Sequence, residues 1–159
     1  MSEALEIARR ALEGVAEKLD PPALQALAQA CYLVSAADGA VGTQELDHSV
    51  ATLGALGSSI PGLDAVCAEL RLLAGQVGRP DEKALIAAIA QAVRDPASRR
   101  ALLTAATCVA FADDALDFEE EIVLLTLADA LGMHKDEAWA LMESARGRET
   151  PAPGAPQPA

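Results

Sequence analysis

A short acidic stretch that occurs twice constrains this chain more than any other feature. Residues 37–45 read Ala-Asp-Gly-Ala-Val-Gly-Thr-Gln-Glu, and residues 112–120, 75 positions later, read Ala-Asp-Asp-Ala-Leu-Asp-Phe-Glu-Glu. An Asp precedes a Glu by seven residues in each copy; the pairs are Asp38 with Glu45 and Asp113 with Glu120. Such a pattern is typical of a helix end, a tight turn and the first turn of the next helix. The chain is therefore predicted to form one helix–turn–helix unit twice.

The repeat extends into the flanking residues at the same spacing. Ala26, Leu27, Ala30 and Val34 correspond to Ala101, Leu102, Ala105 and Val109. After the acidic turns, both copies end in Ala-Leu-Gly, at residues 55–57 and 130–132. Two repeats, at about residues 22–57 and 97–132, are expected to pair about an approximate two-fold axis, each covering the apolar face of the other.

The rest of the chain is also predicted to be helical, which gives an all-α fold of about eight helices. The expected helices span about residues 3–19, 21–37, 43–56, 63–76, 81–94, 97–112, 118–131 and 135–145. Asp20 and Asp95 each precede a proline and are expected to cap the helices that follow. Residues 1–147 are predicted to form a single domain, and the Pro/Ala-rich tail at 148–159 is expected to be disordered.

The composition limits both the core and the possible partners. Hydrophobic residues make up 52% of the chain but aromatic residues only 3%, so the core must be built from Ala, Leu, Val and Ile. The net charge of −12 argues against nucleic acid, whose phosphates require a basic face, and against adsorption to anionic lipid. It leaves divalent cations and basic proteins as partners.

The sequence also predicts a compartment. We see no leader-like segment and no apolar run near the length of a membrane span, so we expect a soluble cytoplasmic protein without direct membrane insertion. The three cysteines are widely spaced on predicted helices, with no CxxC pair. They are expected to be small buried residues in a reducing compartment.

The acidic turns resemble the second half of a calcium-binding EF-hand loop, with an acid at the fifth position and another at the twelfth. Positions one and three would be Val34 and Ala36 in the first copy and Val109 and Phe111 in the second, and none of these side chains carries an oxygen. An ordinary EF-hand is therefore excluded. If a metal binds, both turns must contribute ligands, or water must supply most of them.

This constellation resembles the TerB-like family, known from tellurite resistance and from the N-terminal region of a membrane-anchored J-domain co-chaperone. The resemblance covers roughly residues 22–145 and implies an all-helical fold of two hairpin repeats whose acids lie near each other and hold a divalent cation. The metal ligands that it implies are Asp38, Glu45, Asp113 and Glu120. Asp114 stands where the family has a Gly; it either adds a ligand or marks a second site that has drifted.

The same acids also have a purely structural interpretation. Asp117 and Glu120 have the spacing of a capping box before an apolar helix, and Asp38 and Asp113 can accept hydrogen bonds from main-chain N–H groups in their turns. Capping alone and capping combined with cation binding both remain open. His134 is expected to cap the last helix. No nucleophilic triad, phosphate loop or dinucleotide fingerprint is recognisable.

Three functions follow as hypotheses. The first is a non-enzymatic TerB-like module that binds Ca²⁺, Mg²⁺ or Mn²⁺ through its paired acidic turns and docks protein partners in a stress response; an all-carboxylate site suits these hard cations. The second is a metal-independent acidic scaffold for a basic partner. The third and most remote is a hydrolase that uses a metal-bound water.

Overall fold

The computed structural model describes residues 3–37, 50–55, 62–75, 81–111 and 118–147. These residues form helices and no strand, which confirms the all-α prediction for the described part. The helices are α1 (Glu3–Glu13), a short 3₁₀ helix (Ala16–Lys18), α2 (Pro21–Ser35), α3 (residues 50–55), α4 (Leu63–Ala74), α5 (Glu82–Ala92), α6 (Pro96–Phe111), α7 (Phe118–Ala130) and α8 (Lys135–Ala145). None of the described helices combines the length and the hydrophobicity that crossing a membrane requires.

Side-chain caps set the starts of several helices where the sequence predicts them. The Ala23 N–H donates to Asp20 Oδ1 at 3.0 Å at the start of α2, and the Ser98 N–H donates to Asp95 Oδ2 at 3.0 Å at the start of α6. At α8 the Asp136 N–H donates to the His134 ring at 3.3 Å, which confirms His134 as a cap. Such caps satisfy the otherwise unpaired N–H groups of a first turn. The predicted bounds of α4 to α8 differ from those observed by two residues at most, although α4 begins after Gly62 without a side-chain cap.

The first helix is shorter than predicted. The apolar spacing predicts one helix over residues 3–19, whereas α1 ends at Glu13 and a 3₁₀ turn at Ala16–Lys18 follows. Gly14 stands at the break, and glycine is a poor helix former. Leu12 and Leu19 are nevertheless both buried, so the apolar periodicity continues across a change in backbone that it cannot detect.

The central pair of helices is α2 and α6. They pack against each other, α2 also contacts α4, α5 and α7, and α6 also contacts α1, α7 and α8. Ten consecutive residues of α6, Ala101 to Ala110, are buried, so α6 has no solvent-facing stripe over that length. A helix that is buried on every side lies inside the fold. Its two buried threonines, Thr104 and Thr107, donate their hydroxyls to the carbonyls of Arg100 and Leu103.

Corresponding positions of the two repeats have the same environment. Leu27 and Leu102 are both fully buried, and Val34 and Val109 are 5% and 4% exposed. The small residues at the matching positions allow α2 and α6 to approach closely. The two-fold axis itself stays a prediction, because residues 38–49 of the first repeat lie outside the described residues.

The end of α7 is a tight reversal that requires glycine. Gly132 has a φ of +75°, and its N–H donates to the Asp129 carbonyl at 2.9 Å. The Met133 N–H donates to the Ala128 carbonyl at 3.0 Å. These two bonds make up a Schellman motif, which places a left-handed residue just after the helix. The predicted end of this helix at Gly132 is therefore confirmed.

Candidate functional site

Most of the predicted metal ligands lie outside the described residues. These are Asp38, Glu45, Asp113 and Asp114. Glu120 is described: it lies half-buried in the first turn of α7. The proximity of the two acidic turns, on which a shared cation depends, therefore stays a prediction.

The start of α7 is strongly acidic. Glu119, Glu120 and Glu121 occupy its first turn, where negative charge interacts favourably with the helix dipole. Asp117, the predicted partner of Glu120 in a capping box, lies outside the described residues. The first turn of α7 thus has a structural reason for its acids, and this reason is compatible with cation binding by one of them.

A single arginine contacts both ends of the segment that carries the second acidic turn. Arg146 Nη1 donates to Glu121 Oε1 at 3.2 Å, in the first turn of α7. The Arg146 guanidinium also lies over the ring of Phe111, the last residue of α6, at 5.8 Å from the ring centroid. Arg146 therefore joins the two helix ends that flank residues 112–117, where Asp113 and Asp114 stand.

This arginine is largely removed from water. The side chains of Arg146, Glu121 and Glu143 are 10%, 22% and 13% exposed, and Arg146 Nη1 lies 3.5 Å from Glu143 Oε1. Arg146 Nε is buried and has no hydrogen-bond partner in the described part of the chain. Breaking a buried ion pair is costly because the remaining charge stays desolvated. The cluster of Arg146, Glu121, Glu143 and Phe111 (the Arg146 cluster) should therefore fix the geometry of the flanking helix ends.

A second arginine, in the first turn of α6, also connects the ends of two other helices. Arg99 donates to the Val93 carbonyl at 2.6 Å, to the Ala90 carbonyl at 2.9 Å and to the Leu131 carbonyl at 2.8 Å. A cation in the first turn of a helix opposes the helix dipole, but here the guanidinium compensates the unpaired carbonyls at the ends of α5 and α7.

Sequence reasoning missed both arginines. The only local signal for Arg146 is Glu143, three residues earlier on the same helix. For Arg99 the signal is a basic residue in the first turn of a helix, where cations are disfavoured. Neither signal identifies the distant partners Glu121 and Leu131.

The prediction that the cysteines are buried is confirmed for two of the three. Cys31 and Cys108 are buried, and burial raises the pKa of each thiol to about 12. Cys67 is half-buried, and burial also raises its pKa. All three are free thiols. Raised pKa values disfavour the nucleophilic thiolate, so none of the three environments activates a cysteine for catalysis.

The described ranges contain no group of three or more His, Cys, Asp or Glu side chains that could hold a metal ion. The predicted donor set consists of carboxylates, which fits a hard cation such as Ca²⁺, Mg²⁺ or Mn²⁺ by its chemistry. The only member of that set within the described ranges is Glu120, and one carboxylate cannot define a site.

Comparison with known proteins identifies one family. A family model described as "Tellurite resistance protein TerB" matches residues 24–143, a range that includes both acidic turns, helices α3 to α7 and most of α2 and α8. The searches of curated proteins and of solved structures gave no match.

Proposed function

Because the chain belongs to the TerB family, as the match over residues 24–143 shows, we propose that it is a non-enzymatic helical module that binds a divalent cation and docks a protein partner. One observation carries the cation part: the Asp-to-Glu spacing of seven residues occurs twice, 75 positions apart, inside the matched range. The residues that would hold the cation are Asp38, Glu45, Asp113, Asp114 and Glu120.

The Arg146 cluster supports this proposal. It joins the end of α6 to the first turn of α7, which are the two helix ends on either side of Asp113 and Asp114 in the sequence. Fixing the ends of a binding segment lowers the conformational entropy that is lost when it binds a ligand. The guanidinium also engages Glu121, the neighbour of Glu120, which reduces the repulsion among the three successive glutamates. A cation bound by the remaining acids would supply further counter-charge there.

The proposed role is a stress response, since the family model is described by tellurite resistance. In this role the cation stabilises the module and the acidic surface attracts a partner. No covalent step is required of any residue. The alternative is an acidic scaffold that needs no metal; it is supported by the pairing of Glu121 with Arg146, which shows an acid at the start of α7 in a structural role.

The test is a titration of metal-free protein with Ca²⁺, Mg²⁺ and Mn²⁺, followed by thermal unfolding and calorimetry. At a cation concentration a hundredfold above Kd, linkage gives about 2.7 kcal/mol of stabilisation. The double variant Asp38→Asn/Asp113→Asn should abolish the shift. The matched control Asp64→Asn/Glu82→Gln removes two exposed acids from the first turns of α4 and α5 and should keep it.

Two results would contradict the cation part. One is the absence of any shift with all three cations. The other is an equal loss in both double variants, which would indicate a nonspecific effect of charge. Partner binding that persists in chelator, together with variants that lose only stability, would favour the metal-independent scaffold.

A further inference from the structure

Helix α7 leaves an apolar stripe uncovered. Phe118 is 74% exposed and Ile122 is 46% exposed, and the partly buried Leu125 follows one turn later. Residues four and three positions apart lie on the same face of a helix. Large apolar side chains that share an exposed face mark an interaction site more often than isolated ones do.

The stripe continues into a groove between α7 and α8. The groove has a cavity volume of about 360 Å³. Its lining includes Ile122, Leu125, Thr126, Asp129, Met133 and Lys135. We call the groove together with Phe118 the α7–α8 surface. From Phe118 to Asp129 it follows α7 for roughly 16 Å at 1.5 Å per residue, so its length matches a partner helix of about three turns.

The surroundings of this surface are acidic. The lining of the groove itself holds one acid, Asp129, and one base, Lys135, so its acidic character comes from the exposed acids at its ends. Glu119, at the first turn of α7, and Asp136, at the first turn of α8, are exposed at the two ends of the hairpin. An apolar surface with an acidic rim is complementary to an apolar helix face with a basic rim.

Two other occupants fit less well. Residues 148–159 of this chain read Arg-Glu-Thr-Pro-Ala-Pro-Gly-Ala-Pro-Gln-Pro-Ala, which offers no Leu, Ile, Val, Met or aromatic side chain to fill the groove. A second copy would bring two chains of net charge −12 together through the same acidic surface. Like charges across an interface are unfavourable, so self-association opposes the charge pattern.

We propose that the α7–α8 surface binds a basic amphipathic helix of a partner protein, with apolar anchors in the groove and Lys or Arg residues against the acidic rim. The proposal rests on the docking function proposed above and names the chemistry of its partner. Apolar anchors at positions i, i+3 or i+4, and i+7 of the partner would face Phe118, Ile122 and Leu125.

The test uses a synthetic peptide of Lys and Leu, about 14 residues long, with its Leu residues on one helical face. Two control peptides carry Glu in place of Lys, or the same composition with Leu spread around the helix. Calorimetry measures the affinity of each peptide, so the experiment does not depend on a reporter side chain in the groove. Titrations are performed in chelator, which separates docking from cation binding.

The basic amphipathic peptide should bind at least tenfold more tightly than either control peptide. Ile122→Glu and Phe118→Ser should each weaken its binding at least tenfold. The matched variant Leu72→Glu adds the same charge at a 69% exposed leucine of α4, outside the groove, and should change binding less than twofold. All variants should keep the helical circular dichroism of the wild type.

Other outcomes would overturn the proposal. They are equal binding of the scrambled peptide, equal loss in Ile122→Glu and Leu72→Glu, or no loss in Ile122→Glu. Dimerisation in sedimentation that Ile122→Glu removes would assign the surface to a second copy. A tenfold gain in peptide affinity on deleting residues 148–159 would assign it to the tail. None of these results alters the cation-induced thermal shift, which tests the other part of the proposed function separately.

Discussion

Arg99 is joined to Leu131, 32 residues later, by a hydrogen bond of 2.8 Å from its guanidinium Nη1 to the main-chain carbonyl oxygen. The same guanidinium also donates to the carbonyls of Ala90 and Val93. Three carbonyls at the ends of α5 and α7 thus accept hydrogen bonds from one side chain of α6. Arg99 therefore couples α5, α6 and α7 at one end of the fold.

Replacing Arg99 should destabilise the protein far more than replacing its neighbour. Arg99→Met leaves three carbonyls without their donor and should lower the free energy of unfolding by about 2–4 kcal/mol, since hydrogen bonds to charged groups contribute about 1.5–3 kcal/mol. Arg100→Met is the control: Arg100 is 48% exposed and lies 3.7 Å from Glu137, so the cost should stay below about 1 kcal/mol. Urea unfolding measures both, and similar losses would contradict the role assigned to Arg99.

The Arg146 cluster predicts strong coupling between two side chains 25 residues apart. Arg146→Met should cost about 3 kcal/mol, because two mostly buried carboxylates lose their counter-charge. In a Glu121→Gln background the cost should fall by at least about 1 kcal/mol, as double-mutant cycles show for contacting residues. Arg94→Met, at an exposed position, is the control and should show no coupling to Glu121→Gln. Additive effects of Arg146→Met and Glu121→Gln would contradict the ion pair.

The helices were largely predictable from sequence because their determinants are local. The capping residues Asp20 and Asp95 lie only three residues before the N–H groups from which they accept hydrogen bonds. The apolar periodicity identifies the buried face of each helix. The early end of α1 was not predictable from periodicity, since Val15 and Leu19 stay on the inner side after the backbone changes at Gly14.

The side-chain contacts between helices were not predictable from sequence. Arg146 meets Glu121 and Phe111 only because α6, α7 and α8 pack together, and nothing local specifies that packing. Of the candidate metal ligands, the described residues include Glu120 alone, in the helical first turn that the sequence predicts. The arrangement of Asp38, Glu45, Asp113 and Asp114 remains a prediction from the repeat and the family.

Replacing either of two glycines by alanine should change the free energy of unfolding, but in opposite directions. Gly132→Ala should cost about 1–2 kcal/mol, because a Cβ is disfavoured at a φ of +75°. The nearest side-chain atom to that Cβ, Arg99 Nη1, would lie 3.6 Å away, so the cost is conformational and not steric. Gly54→Ala lies in helical residues with nothing within 4 Å of the new Cβ and should stabilise by about 0.5–1 kcal/mol. Thermal unfolding of both variants checks the signs.

Stability should fall in alkaline solution because of two thiols. Burial raises the pKa of Cys31 and Cys108 from 9.0 to about 12, so the folded chain keeps two protons that the unfolded chain releases. Their contribution is complete below about pH 9 and is lost as the pH rises toward 12. Between pH 8 and pH 10, Cys31→Ala/Cys108→Ala should lose less stability than the wild type. Cys67→Ala should lose more stability than the double variant, because burial raises the pKa of the half-buried Cys67 as well but leaves the two fully buried thiols in place. Identical losses in all three proteins would contradict the assignment.

The same burial predicts an order of alkylation. In native protein at pH 8, iodoacetamide should modify Cys67 first, because Cys31 and Cys108 are inaccessible and remain protonated. Mass spectrometry should detect one adduct in native protein and three after denaturation. Rapid native modification of Cys108 would contradict the described packing of α6.

The position of Arg146 affects where this protein can be truncated. The family match stops at residue 143, three residues before Arg146, and it begins after α1, whose Ala8 and Leu12 are fully buried. Gly147, with a φ of +75°, meets Ile7 of α1 so closely that a Cβ there would lie 3.0 Å from Ile7 Cγ2. A fragment cut at the family limits would expose the face of α6 that α1 covers. It would also leave Glu121 without the Arg146 guanidinium. We therefore expect a fragment that folds on its own to include α1 through Gly147.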